Sequence, residues 1–369
     1  MPRVDIAKAD VKAEAARLKA RFEAQGAQAM EMDILLPAEV LLDLYGEDIR
    51  ARAYVTHDPE QGEMMLRPDF TVPMVQAHMS DGAEPARYTY AGEVFRKQED
   101  VPTRANEYIQ VGFEVFDGSS PADADAEVFA AFAEALSDYD LRASTGDIGI
   151  LMAAVRGLKT TERRRNALLR HIWRPRRFRA LMTRFSARGT ELRQQNLDRV
   201  KANLKEAEAP FIGLRTQTEI DTRIKALEED AAEPPISDGE IALMNDILSL
   251  KETLPNVLSN LRDIAVDLPE ISEAVSLLGR RTEALASRGV DVDHLDFEAS
   301  YGRTSMEYYD GFVFGFYAEG RPDLPPVATG GRYDALTSVL GQGRSIPAVG
   351  GVIRPGLMLA LNATGKGEA

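Results

Sequence analysis

Two runs rich in aromatic and β-branched residues, Tyr88–Phe95 and Tyr108–Phe116, flank a polar stretch containing Pro102, and this pairing constrains the fold more than any other feature of the chain. Such runs predict two antiparallel strands joined by a long loop. Side chains alternate along a strand, so Gln110, Gly112 and Glu114 share one face of the second run and Ile109, Val111, Phe113 and Val115 the other. The second set is apolar enough to join a core. The first carries an amide and a carboxylate with a glycine between them, which leaves room for a ligand; on residue types alone a merely solvated face is the commoner outcome.

A chain of 369 residues can bury a large core as one domain with an insertion, or as two domains. Its formal charge of −15 argues against a general nucleic-acid binder, which needs clustered positive charge. The absence of cysteine excludes a disulfide framework and a thiolate metal site. His57, His78, His171 and His294 are scattered without metal-ligand spacing, so no metal is expected. There is no apolar leader and no run long enough to span a bilayer, which predicts a soluble cytoplasmic protein.

Residues 6–25 have helical spacing and end at Gly26, a helix stop. An extended apolar segment then runs into Pro37. Asp69 and Thr71, in Met65–Gln76, stand where a helix would start and read locally as caps. Ser120 and Pro121 open a helix that places Val128, Phe129, Phe132 and Leu136 on one face. From about 146 to 290 the pattern is long and mostly helical. Glu228–Gly239, with paired prolines, reads as the clearest internal linker. Arg163–Arg188 is a basic patch interleaved with Trp173, Phe178 and Phe185, best explained as amphipathic helix with its aromatics inward.

Several of these segments resemble the motifs of class II aminoacyl-tRNA synthetases, and of histidyl-tRNA synthetase in particular. Phe95–Phe116 is similar to motif 2, with Arg96, Arg104, Gln110, Gly112 and Glu114 at its fixed positions; the family's acidic residue two places after the first arginine is Gln98 here, and its further loop arginine is Asn106. The segment around Pro37 and Glu39 resembles motif 1, the dimerisation element. Asp69 and Thr71 match the residues that hold the amino group of histidine, with Asp where Glu is usual. Asp293–Tyr317 resembles the histidine-specific segment: Glu307, Tyr308 and Tyr309 match, while the catalytic arginine is replaced by Thr304. Thr329–Asp334 is similar to the glycine-rich turn before motif 3. In motif 3 the arginine that stacks on adenine is Leu357 and the preceding glutamate is Gly356; Arg354 lies three places away.

The resemblance covers roughly 5–140 and 290–362. It implies an α+β fold: a class II antiparallel sheet flanked by helices, formed by 1–145 and 290–369, with a mainly helical insertion at 146–289 and no anticodon-binding domain. Replacement of a fixed cation by Thr304, together with Gln98 and Leu357, removes electrostatic stabilisation that adenylate formation requires. The histidine-holding positions Asp69, Thr71, Arg96, Gln110, Glu114, Tyr308 and Tyr309 are largely kept. That combination resembles the regulatory subunit of ATP phosphoribosyltransferase, a paralogue of the synthetase. The resemblance implies no catalytic residue and no cofactor, a short-form catalytic subunit as partner, L-histidine as effector, and self-association through the motif 1 region. Two other readings fit the same fold: a residual histidyl-tRNA synthetase-type activating enzyme, and a histidine-binding module serving another partner.

Overall fold

The computed structural model describes residues 6–45, 52–97, 105–205, 216–303, 308–341 and 343–365. Its centre is the expected hairpin. β5 (Ala86–Phe95) and β6 (Glu107–Phe116) pair antiparallel along their whole length, with Tyr88 opposite Glu114, Tyr90 opposite Gly112 and Gly92 opposite Gln110. Directly opposed residues project to the same side of a sheet, so these six form one patch.

The hairpin lies within a nine-stranded sheet ordered β1 (Gln28–Ala29), β5, β6, β12 (Ala348–Ile353), β11 (Ala328–Arg332), β10 (Phe312–Ala318), β7 (Leu141–Asp147), β9 (Asp296–Glu298) and β8 (Lys251–Thr253), the strands being numbered in chain order. β1 with β5 and β7 with β9 are parallel pairs; the other neighbours are antiparallel. β2 (Leu35–Pro37), β4 (Gly62–Leu66) and β3 (Val55–Asp58) make a separate small sheet that contains the segment ending at Pro37. The edge strand β8 falls in the stretch that reads as almost purely helical, because three residues are too few to show a periodicity of two.

The apolar face of β6 is covered by two helices. Phe22, from the Lys8–Ala24 helix, stacks on Phe113 at 5.1 Å and meets Phe132, from the Pro121–Ala135 helix, at 5.7 Å. Val128, Phe129, Phe132 and Leu136 are buried as their spacing predicts. This leaves the opposite face of the sheet, with Gln110 and Glu114, for the site.

Between β7 and β9 the described residues run mainly through helices, from Ile148–Gly157 to Ser272–Ser287. Ser237 starts one of them with a reciprocal capping box to Glu240. The acidic segment that reads as a linker is anchored. The preceding helix ends at Ala232, and the buried Arg164 donates to the Asp230 carboxylate and to the Asp230 and Pro234 carbonyls, each at 2.7 Å. Ile236 is itself buried and bonds backbone to backbone with Phe185. Paired prolines end the helix there, but an arginine 66 to 70 residues earlier holds the chain, which local composition cannot reveal. Among the described residues no helix is long and apolar enough to cross a membrane.

Candidate functional site

Glu114 is the hub of the polar patch. It is 1% exposed, and both of its oxygens accept phenolic hydrogen bonds, Oε1 from Tyr90 at 2.8 Å and Oε2 from Tyr333 at 2.6 Å. Burial in a low-dielectric setting disfavours the ionised carboxylate and pushes the Glu114 pKa up to about 7. The hydrogen bonds from Tyr333, Tyr90 and Thr71 hold it lower than burial alone would, and Asp69 nearby adds to the rise. Tyr309, 6% exposed, faces the same charges, and burial raises its phenol pKa.

Two glycines make this packing possible. A side chain at Gly112 would place its Cβ 2.0 Å from the Tyr90 ring, and one at Gly350 would lie 1.5 Å from Glu114 Oε2. The space at Gly112, read from the sequence as room for a ligand, is therefore taken by Tyr90. Gly350 stands opposite Glu114 across β6 and β12 and admits its carboxylate. Gly350→Ala is expected to push Glu114 off Tyr333 and to lower stability by about 1–3 kcal/mol, readable as a lowered thermal midpoint.

Asp69 and Thr71, each 5% exposed, reach the same region from the start of the Thr71–Asp81 helix. The cap position of that helix is Phe70, with no side-chain capping bond, so the local reading of Thr71 as a cap does not hold. Phe70 instead stacks on Tyr90 at 4.4 Å. Tyr308 donates a long, 3.4 Å bond to the Thr71 hydroxyl and meets the Tyr309 ring edge-on at 4.8 Å. Arg96 donates to the Pro68 carbonyl at 2.7 Å, and its guanidinium lies 3.9 Å from Asp69.

Gln110, 1% exposed, shares the Glu114 face of β6, and neither its amide nitrogen nor its amide oxygen has a hydrogen-bond partner among the described residues. A buried primary amide with both ends unmet is costly.

The structure thus gathers Asp69, Thr71, Glu114, Tyr308 and Tyr309 around one carboxyl, with Arg96 beside Asp69 and Gln110 along the same strand. Gln98, Arg104, Thr304 and Glu307 lie outside the described residues. Tyr90 and Tyr333 were not singled out from the sequence. The signal for Tyr90 was available, since pairing the two predicted strands sets it opposite Gly112; Tyr333, in the glycine-rich turn, carried none.

A cavity of about 430 Å³ opens next to Arg96 and is lined also by Lys8, Tyr108, Arg354, Gly356 and Leu357. Arg354 and Leu357, three residues apart, therefore line the same cavity. Arg354 also donates to the Pro326 carbonyl at 2.9 Å and the Thr329 hydroxyl at 3.2 Å, and burial lowers its pKa. These bonds hold its guanidinium to the β11 side.

A protein-family model described as Histidyl-tRNA synthetase matches residues 7–206 and 220–355. A Rhizobium etli protein named ATP phosphoribosyltransferase regulatory subunit is 31% identical over 357 residues, covering 91% of this chain and 93% of that protein. The chain belongs to this family. A Brucella anthropi protein of the same name is 28% identical over 358 residues, covering 90% of this chain and 93% of that one. Among solved structures, a Bacillus halodurans protein titled ATP phosphoribosyltransferase regulatory subunit/histidyl-tRNA synthetase superposes with a TM-score of 0.68 at 20% identity, over 97% of this chain and 81% of that one. Histidyl-tRNA synthetase from Nostoc sp. gives 0.63 at 19% identity, over 96% and 71%. At such identities the structural likeness establishes the fold, the synthetase-like sheet with its flanking helices.

Proposed function

We propose that this chain is the non-catalytic regulatory subunit of an ATP phosphoribosyltransferase, acting with a short-form catalytic subunit in the first step of histidine biosynthesis, and that L-histidine is the effector it binds. The names of its relatives support the first part. The buried, unmet amide of Gln110, on the same face of β6 as Glu114, carries the second.

In this reading Glu114 and Tyr309 meet the imidazole, Asp69, Thr71 and Gln110 meet the ammonium, and Arg96 meets the carboxylate. Tyr308 braces Thr71. Partners of fixed polarity at both ends give selectivity, because a ligand lacking either group leaves buried polar atoms unpaired. Inhibition then requires that histidine bind the inactive assembly more tightly than the active one; occupancy alone shifts nothing. The segment through Pro37 serves self-association, and the helical stretch 146–289 is a unit inserted into a core made of 1–145 and 290–369.

The test is phosphoribosyl-ATP formation by a short-form catalytic subunit from the same source, with and without this protein, across a histidine titration. Activity and histidine inhibition are both expected to depend on this chain. Gln110→Leu separates a ligand contact from a structural one. Removing the unmet amide should raise the stability of the free protein by about 1–3 kcal/mol while weakening histidine binding about tenfold or more. Undiminished inhibition with both Gln110→Leu and Glu114→Ala would exclude this site. No effect of the chain on the catalytic subunit would exclude the regulatory role and turn attention to histidine-dependent pyrophosphate exchange.

A further inference from the structure

The turn between the Glu162–Arg170 and Pro175–Phe185 helices touches the site from outside the sheet. Trp173, the chain's single tryptophan, donates its indole N–H to the Tyr309 carbonyl at 3.1 Å. Next to it, the Ile172 carbonyl accepts from Arg303 Nε at 2.7 Å. Arg303 is 4% exposed, and its guanidinium lies over the Phe178 ring at 4.9 Å. Burial lowers its pKa to about 10, with Arg179 adding to the effect, so this arginine is held at an electrostatic cost.

These two bonds run in opposite directions between the same two pieces of chain. One donor comes from the helical hairpin and one from the segment leading into β10. Tyr309 is therefore fixed on both sides of its peptide. Its carbonyl is held by Trp173, and the N–H of the next residue, Asp310, bonds to the Arg332 carbonyl at 3.0 Å in β11. The ring is seated against Gly331, where a Cβ would come within 2.8 Å of Tyr309 Cδ1. The indole is the helical hairpin's hold on this peptide, and so on the backbone from which the Tyr309 side chain projects.

We infer that Trp173 is a positioning residue for the histidine pocket, and that the hairpin around it is coupled to ligand occupancy at Tyr309. The inference rests on the histidine reading above. Coupling of this kind is reciprocal: if the hairpin sharpens binding, ligand must in turn steady the hairpin.

Because Trp173 is the only tryptophan, the emission of the unaltered full-length protein, excited on the red edge where tyrosine does not absorb, reports the surroundings of this one indole. Saturating L-histidine is expected to shift or quench that emission, and hydrogen exchange of residues 162–185 is expected to slow. Trp173→Phe keeps an aromatic ring but removes the donor. By calorimetric titration it should bind histidine about tenfold more weakly, in addition to the modest fall in the unfolding midpoint of the free protein that loss of the hydrogen bond itself causes. Histidine binding that leaves both the wild-type emission and hairpin exchange unchanged overturns the inference, as does equal affinity in Trp173→Phe; the histidine site would survive either result. If Trp173→Phe does not fold, the wild-type emission and exchange decide. If the wild-type protein does not bind histidine at all, both readings fall together.

Discussion

Asp125→Ala is expected to cost about 3–5 kcal/mol of stability, the range seen when one member of a buried ion network is removed. Asp125 is fully buried. Its Oδ2 accepts from Arg281 Nε at 2.8 Å, and its Oδ1 accepts from Arg332 at 2.7 and 3.0 Å. Arg281 also donates to Asp147 at 2.8 Å and lies over the Phe312 ring at 4.6 Å, while Arg332 also donates to Asp334 and to the Pro121 carbonyl. Removing the shared carboxylate leaves two buried guanidinium groups with one compensating charge fewer between them. A single domain is stable by only about 5–15 kcal/mol, so the fall in the urea midpoint should be large.

The network joins four parts of the chain: the Pro121–Ala135 helix, the end of β7, the Ser272–Ser287 helix and the end of β11. Asp147 does a second job, accepting from the Gly149 N–H at 2.8 Å as cap of the next helix. Arg332 directly precedes Tyr333, which holds Glu114, so Asp125→Ala should also blunt histidine binding. Asp125→Asn, which keeps the shape and one acceptor, should lose less. A fall below about 1 kcal/mol for the alanine variant would mean that the arginines find other partners and that the network is not what fixes β11 to the helices.

The second large effect is the share of the pH dependence of stability that Glu114 carries, which Glu114→Gln should remove. Burial raises the Glu114 pKa from the ordinary 4.5 to about 7 in the folded protein. Between those values the folded state keeps a proton that the unfolded state has lost, so stability is highest below pH 4.5, falls as pH rises towards 7, and is level above it. A displacement of this size corresponds to roughly 3 kcal/mol at about 1.4 kcal/mol per pKa unit. Glutamine carries no titrating proton and fits the same space, so the two proteins should be of similar stability at pH 4 and diverge above it, with the variant the more stable at pH 8. Asp310 contributes a parallel fall in both proteins, since burial and the nearby Asp334 raise its pKa to about 7 as well; the difference between variant and wild type isolates Glu114. A difference that does not change from pH 4 to pH 8 would mean that Glu114 titrates in the folded protein as it does in the unfolded chain. With histidine bound, an imidazole N–H donated to the carboxylate favours its ionised form, and the gap at pH 8 should narrow.

The hairpin itself was legible. Alternation of apolar and polar residues in Tyr108–Phe116 identified both the buried face with Phe113 and the face with Gln110 and Glu114, because a period of two is imposed by the strand backbone. The resemblance to the synthetase motifs carried Asp69, Thr71 and Tyr309 to the same region. Gly112 was recognised as a place where space is needed, but its occupant was misread, because a glycine signals close approach without saying what approaches.

What the sequence determined by itself was therefore local: which segments are strands or helices, which face of each is apolar, and which residue types stand on the polar face of β6. Tertiary structure alone decided the partners. Tyr333 reaches Glu114 across 219 positions of chain, Arg332 reaches Asp125 across 207, and Trp173 reaches Tyr309 across 136. Periodicity fixes the direction in which a side chain leaves its own element, because backbone geometry repeats over a few residues. It carries no information about which distant element arrives opposite, which depends on how the whole sheet closes around its core. Those arrivals set the chemistry of the candidate site: a glutamate becomes a tyrosine-held carboxyl with a raised pKa only once β6, β12 and the turn after β11 have met.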